Sequence, residues 1–292
     1  MSLTPADAAD LFRRDPDRFL DVGAGEVAYR RVGTGPDVLF VHGWPVSGAT
    51  FRKLLPHLSD HVTCHLIDLP GAGSSRFTAD TTLTVDQHIH SVRRVVDLLG
   101  LDDVAVVGHD SGGLIARHAM AGDPRLRTMG LINTEQPHGL SWRFRSFLSV
   151  RHVPGAGAGL GWVVGRRRLR RNRFVLGAAF ADASLLDGEF DEFFLQPWHT
   201  MAARRDAAVR LLRSFDAQHV RDLADVHRRI GVPVQLVWGD QDPFFPVEWA
   251  KEMVGTFPDA RLEVIEGAGL FSHEERPAEV AHALLPILVA PR

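Results

Sequence analysis

Ten residues, Val104-Ala-Val-Val-Gly-His-Asp-Ser-Gly-Gly113, constrain this chain more than any other stretch. Val104 to Val107 form a continuous apolar run, the pattern of a strand buried on both faces. From Leu114 the spacing becomes helical, with Leu114, Ile115, Ala116, Ala119 and Met120. A buried strand therefore turns into a helix within a few residues of Asp110. Gly108, Gly112 and Gly113 remove side chains where strand and helix run closest. The pattern Gly108-x-Asp110-x-Gly112 is a nucleophile elbow with Asp where Ser is more usual. It presents Asp110 at the strand's carboxyl end, above a helix N-terminus whose free N–H groups favour negative charge. A carboxylate there suits displacement at an sp³ carbon, which leaves an alkyl-enzyme ester. Taken alone, the stretch also fits an aspartate that merely caps a helix.

The rest of the chain alternates strands and helices around this unit. Residues 6–20 read as a short amphipathic helix interrupted at Pro16. Strands are expected at 26–32, 38–41, 62–68, 129–133, 232–238 and 262–265, and helices at 48–58, 84–99, 247–257 and 277–289. The alternation pauses from 138 to 228, where glycine-rich breaks, a basic run (Arg166-Arg-Arg-Leu-Arg-Arg171) and aromatic helical patterns predict a mostly helical insertion. The basic run reads as a solvated helix face. Such alternation implies a mostly parallel sheet flanked by helices, with ligands at the strands' carboxyl ends. The expected division is a core of residues 1–137 and 229–292 and a helical cap of residues 138–228.

Composition narrows the function classes. The 292 residues are 45% hydrophobic and 24% charged, and a net charge of −3 gives no electrostatic reason to expect nucleic acid. The single cysteine, Cys64, excludes an internal disulfide and a cysteine-based metal cluster. No apolar run is long enough to span a bilayer, and the first residues lack the pattern of a signal peptide. The reading is a soluble cytoplasmic protein with no metal, organic cofactor or membrane partner, and no sequence feature sets an oligomeric state.

Four features together resemble the α/β-hydrolase superfamily over nearly the whole chain. They are His42-Gly-Trp-Pro45, Gly108-His-Asp-Ser-Gly-Gly113, Trp238-Gly-Asp-Gln-Asp242 with Pro246, and Gly267-Ala-Gly-Leu-Phe-Ser-His-Glu-Glu-Arg-Pro277. Within it the chain resembles the aspartate-nucleophile branch of epoxide hydrolases and haloalkane and fluoroacetate dehalogenases. The resemblance implies an α/β-hydrolase fold with its cap inserted after the sixth strand. It assigns Asp110 as nucleophile and the amides of Trp44 and Ser111 as the pair that holds developing negative charge. Asp242 matches the acid that orients a histidine, with Glu135 as a second candidate; Asp240 fits less well.

The pattern departs from the family at Leu270. Aligning Gly267, Gly269, Glu274 and Pro277 puts the family's catalytic histidine there, and leucine cannot accept a proton from water. In this branch that histidine serves mainly hydrolysis of the ester, so the resemblance implies an enzyme that forms the ester and releases it poorly. Three readings stay open: a substitution that traps the intermediate, a replacement role for His273 about 5 Å further along a helical turn, or non-hydrolytic chemistry or ligand binding on the same fold.

The substrate expected is a small apolar electrophile. Epoxide hydrolases of the branch use two cap tyrosines, whereas the one tyrosine here, Tyr29, lies in an early strand. Haloalkane dehalogenases place Trp, and fluoroacetate dehalogenases Arg, at the position of Ser111. The His42-Gly-Trp-Pro45 form favours an epoxide, with carbon–halogen cleavage the alternative. His42, His109, Trp198 and His199 are the expected pocket residues, and Trp198 or His199 the expected donor to an epoxide oxygen.

Overall fold

The apolar runs become the strands of one sheet in a computed structural model that describes residues 3–153 and 155–291. These are β1 (Arg18–Asp21), β2 (Glu26–Gly33), β3 (Asp37–Val41), β4 (Thr63–Asp68), β5 (Val104–His109), β6 (Leu126–Ile132), β7 (Val234–Gly239) and β8 (Ala260–Ile265). They lie in the order β1-β2-β4-β3-β5-β6-β7-β8. β2 is antiparallel to β1 and β4, and every pair from β4 across to β8 is parallel. This is the expected α/β-hydrolase architecture.

Residues of β4, β5 and β6 are buried along their whole length, because both faces of the sheet are covered. Successive side chains alternate between two cores. Leu39, Val41, Val104, Val106 and Leu131 face one; Val38, Phe40, Ala105, Val107 and Ile132 face the other. The helices of the first half include α1 (Pro5–Arg13), α2 (Leu55–Leu58), α3 (Val85–Leu99) and α4 (Ser111–Met120). α3 begins at Thr84, whose side chain accepts from the Gln87 amide, and stops at Gly100 in the left-handed conformation. Pro277–Leu288 closes the chain.

Two expectations are corrected. The helix read over 6–20 stops at Arg13, and Arg18–Asp21 instead pairs antiparallel with Glu26–Tyr29. Gly23 and Gly25, both at positive φ, close that hairpin. The helix expected at 48–58 is a 3₁₀ turn, Gly48–Phe51, followed by the single α turn of α2. Pro56 has no N–H to give Arg52, which breaks the ladder between them.

Between β6 and β7, residues 142–228 contain helices and turns but, among the described residues, no strand. The insertion leaves from the carboxyl end of β6 and packs back onto the sheet through Phe144 against Phe245 and Phe147 against Trp44. The basic run is more than a solvated face. Arg167, Arg170 and Arg171 converge on Asp187, and Arg170, buried, also pairs with Asp191 at 2.6 Å. A guanidinium withdrawn from water requires such counter-charges.

Candidate active site

Asp110 sits between β5 and α4 with φ 51° and ψ −137°, a backbone conformation that costs a non-glycine residue about 1–3 kcal/mol. Its surroundings hold it there. The Asp110 amide donates to the Asn133 carbonyl at 3.0 Å, and its carbonyl accepts from the Gly113 amide at 2.8 Å. The flanking glycines are required by contact. A Cβ on Gly108 would lie 2.6 Å from the Gly113 Cα, and one on Gly113 would lie 2.5 Å from Thr134 Oγ1. A Cβ on Gly112 would run into the carbonyl oxygens of Val41 and His42.

The Asp110 carboxylate is met from the end of β3. The Trp44 amide donates to Asp110 Oδ2 at 2.8 Å, the Ser111 hydroxyl lies 3.4 Å from the same oxygen, and the neighbouring Ser111 backbone N–H favours the charged carboxylate. Of the two amides named from the sequence, that of Trp44 makes the direct bond to Asp110. Gly43 makes the approach possible, since a Cβ there would lie 2.5 Å from Oδ2. Burial pushes the Asp110 carboxyl well above the usual range, Glu135 and Asp242 add repulsion, and the two amides pull the other way.

The two candidate acids occupy different settings. Asp242, after β7, accepts from the amides of Phe244 (2.8 Å) and Phe245 (3.1 Å) and from Asn133 Nδ2 (2.8 Å). Burial raises it to about 7 against these bonds. Glu135, also buried and raised by burial, faces Arg117 and lies 3.0 Å from Thr134 Oγ1. Thr134 Oγ1 is also 2.8 Å from the Asp110 carbonyl oxygen and accepts from Arg117 Nη2 at 2.9 Å.

Asn133, Thr134 and Arg117 escaped the sequence reading. Asn133 is the second non-glycine residue at positive φ, 35°, and its Oδ1 accepts from the Gly239 amide (3.1 Å) and Ser272 Oγ (2.8 Å). An asparagine closing an apolar strand was the available signal, since Asn tolerates the left-handed region.

Leu270 lines the same cavity as Asp110. That cavity measures ≈ 50 Å³ and its wall is apolar: Phe144, Phe147, Phe244, Phe245 and Phe271 surround Leu270. Trp44 brings to it the only indole N–H, which already donates to the Ala208 carbonyl at 3.0 Å. No other lining side chain offers a hydrogen-bond donor.

The expected histidines lie elsewhere. His273 is buried behind the cavity, bonded to Thr50 Oγ1 at 2.8 Å and packed on His109, and burial lowers it to about 3. It does not line the Asp110 cavity, which removes the geometric basis for a replacement role. His109, read as a pocket residue, points into the core instead. Its Nε2–H donates to the Leu270 carbonyl at 3.1 Å. His199 is likewise displaced from the pocket, where its Nδ1–H donates to Gly161 at 3.2 Å. His42 is fully bonded, donating to the Gly43 carbonyl and accepting from the Leu69 amide. His42 and Trp198 line a neighbouring, larger chamber rather than the Asp110 cavity. Among the described residues there is no cluster that would hold a metal ion, and no helix is long and apolar enough to cross a membrane.

The sequence model described as alpha/beta hydrolase fold matches residues 36–277. Haloalkane dehalogenase 2 of Mycobacterium tuberculosis is 28% identical over 278 residues, covering 92% of this chain and 93% of its own. The pimeloyl-[acyl-carrier protein] methyl ester esterase of Xanthomonas campestris pv. campestris is 27% identical over 274 residues, covering 88% and 98%. The crystal structure of an alpha/beta hydrolase fold protein from Burkholderia ambifaria superposes with a TM-score of 0.78 at 21% identity, covering 94% of this chain and 98% of its own.

Proposed function

This chain belongs to the alpha/beta hydrolase fold family, and from that premise we propose that it is a hydrolase-type enzyme whose Asp110 displaces a leaving group from a small alkyl carbon. The observation that carries the reading is the carboxylate of Asp110, held by the Trp44 and Ser111 amides at the wall of an apolar cavity. A carboxylate oxygen bonds to the carbon, the bond to the leaving group breaks, and the leaving group departs with the electron pair.

The wall favours a halide as that leaving group. Halide departs as a weak base and needs no proton, whereas an opening epoxide develops an alkoxide that needs a donor. The donors expected for an epoxide, Trp198 and His199, do not line the cavity, and the Trp44 indole is engaged with Ala208. The likeness to a haloalkane dehalogenase over most of the chain points the same way. The epoxide reading rests on the His42-Gly-Trp-Pro45 form.

Ester hydrolysis requires a base to take a proton from water. The family pattern would put that base at Leu270, and the partners of Asp242 are Asn133 and the amides of Phe244 and Phe245 rather than a histidine. The proposed outcome is an alkyl ester on Asp110 that accumulates rather than turns over. Incubation with 1-bromobutane and 1,2-epoxybutane, followed by peptide mass mapping, tests this. A butyl group on the Asp110 peptide from the bromide supports the reading. Modification by the epoxide alone would replace it with the epoxide reading, and an unmodified Asp110 with both reagents would refute alkylation.

A further inference from the structure

A second chamber lies on the far side of Trp44 from Asp110. It measures ≈ 240 Å³ against ≈ 50 Å³ for the Asp110 cavity, and Trp44 and Pro45 line both. Trp44 is fixed as the partition. Its indole bonds Ala208, and its ring packs edge-on against Trp198 (4.9 Å between centroids) and Phe147 (5.0 Å).

The charged groups around the larger chamber already have partners. Arg30 bonds Asp68 and the Leu11 carbonyl, and Asp68 also accepts from the Gly48 and Ser74 amides. Glu192 is held by Arg13 at 2.7 Å. Arg204 donates to the carbonyls of Ala72 (3.1 Å) and Ser75 (3.0 Å). His42 uses both ring nitrogens, and Ser111 Oγ accepts from the Trp44 amide. His88 differs. It projects from α3, is 1% exposed and lines the chamber, yet its ring makes no hydrogen bond and Nδ1 is buried without a partner. A buried polar group left unpaired costs about 1–3 kcal/mol, so a ligand in the chamber toward which the ring turns to pair recovers that cost.

We propose that this chamber is a second binding site, which takes a small neutral ligand with an apolar body and one hydroxyl or carbonyl group, paired with the ring of His88. The apolar body is matched by Ile115, Leu69, Leu211 and the rings of Phe193, Phe194 and Trp198. The ligand is neutral because Arg30, Asp68 and Glu192 are already paired and both terminal nitrogens of Arg204 already donate to carbonyls, so an added charge would be desolvated with little to meet it. Burial also keeps the His88 ring uncharged, pushed down to about 3. A neutral imidazole both donates and accepts, so it serves a hydroxyl or a carbonyl.

The test uses the full-length protein labelled with ¹⁵N at histidine and four probes of one shape: cyclohexanol, methylcyclohexane, cyclohexylamine and cyclohexanecarboxylate. Cyclohexanol is expected to shift the His88 ring nitrogens and to bind about tenfold more tightly than either charged probe or the hydrocarbon. His88→Leu is expected to weaken cyclohexanol about tenfold and leave methylcyclohexane unchanged, while His88→Gln, which keeps a donor and an acceptor, retains the alcohol. An unmoved His88 signal with every probe overturns the proposal, as does an alcohol affinity that His88→Leu leaves intact. Should His88→Leu not fold, the ring signal and the Gln variant decide. Alkylation of Asp110 plays no part in these readouts, so failure there leaves this result standing, and the reverse.

Discussion

The loop after β5 and the loop after β8 line one cavity, yet they are built for opposite purposes. At the first, backbone strain at Asp110, three glycines and two amides converge to hold a charge-bearing group in an apolar space. At the second, Leu270 packs among phenylalanines, and its only polar contact is a carbonyl that accepts from His109. Fold energetics explain why the first loop is informative. An apolar residue at 270 stabilises the core, whereas a buried carboxylate at 110 opposes folding and persists only because its surroundings impose it. On the proposed reading, the contrast gives the chain an attacking group and leaves the water-activating step without one.

The largest expected effect breaks the first region outright. Asp110→Asn keeps an acceptor for the Trp44 amide and loses the nucleophile, so labelling by 1-bromobutane should fall by ~10³-fold or more. Intact-protein mass after a fixed incubation measures it, and labelling at the wild-type rate would place the reactive group elsewhere.

Gly112→Ala attacks the scaffold rather than the chemistry. Its Cβ would meet the backbone of Val41 and His42, which cannot move without shifting β3, so a loss of ~3 kcal/mol or more is expected in urea melts. The matched substitution in the second region, Gly267→Ala, has no atom closer than an Arg276 nitrogen at 3.9 Å and costs only the strain of φ +66°. Equal losses at the two glycines would erase the contrast.

The pH dependence sharpens it. Only the ionised carboxylate attacks, and burial and Glu135 raise the pKa of Asp110 well above the usual range. Below that raised pKa the labelling rate should climb about tenfold per pH unit. Stability should run the other way. Asp242, ordinarily near 3.8 and raised to about 7, binds its proton more tightly folded than unfolded. Its contribution is therefore full below pH ~4 and is lost as pH rises through 7. A labelling rate that stays flat with pH well above the ordinary carboxylate range and down through it would contradict the assigned environment of Asp110.

The smallest effect falls on the partition. Trp44→Phe preserves the amide that holds Asp110 and deletes the bond to Ala208, so stability should drop by ~1 kcal/mol with little change in labelling. A large loss of labelling would mean that the indole acts in the reaction.

The same contrast governs what the sequence made legible. The sheet was readable because apolar runs such as Val38–Val41 and Val104–Val107 have no other use, and the elbow because its glycines mark a steric demand. Arg18–Asp21 was not, since an edge strand needs no apolar run and is defined by its partner across the hairpin. Trp44 lies beside Asp110 and Ser111 because two backbone motifs close adjacent parallel strands, His42-Gly-Trp-Pro45 after β3 and the elbow after β5. The pocket histidines failed because a side chain's direction depends on packing: His109 turned into the core and His199 toward Gly161. His88 carried no signal at all, being one more residue on the inward face of an amphipathic helix.

The central claim is that this chain attacks with Asp110 and lacks the means to release the product. The most direct measurement follows the intact mass of wild type and Leu270→His through a time course with excess 1-bromobutane, while 1-butanol is quantified. The account predicts that wild type gains one butyl group, holds it and makes less than one equivalent of butanol. Leu270→His should show a transient adduct and release butanol over many turnovers. Sustained butanol release by wild type without an adduct on Asp110 would contradict it.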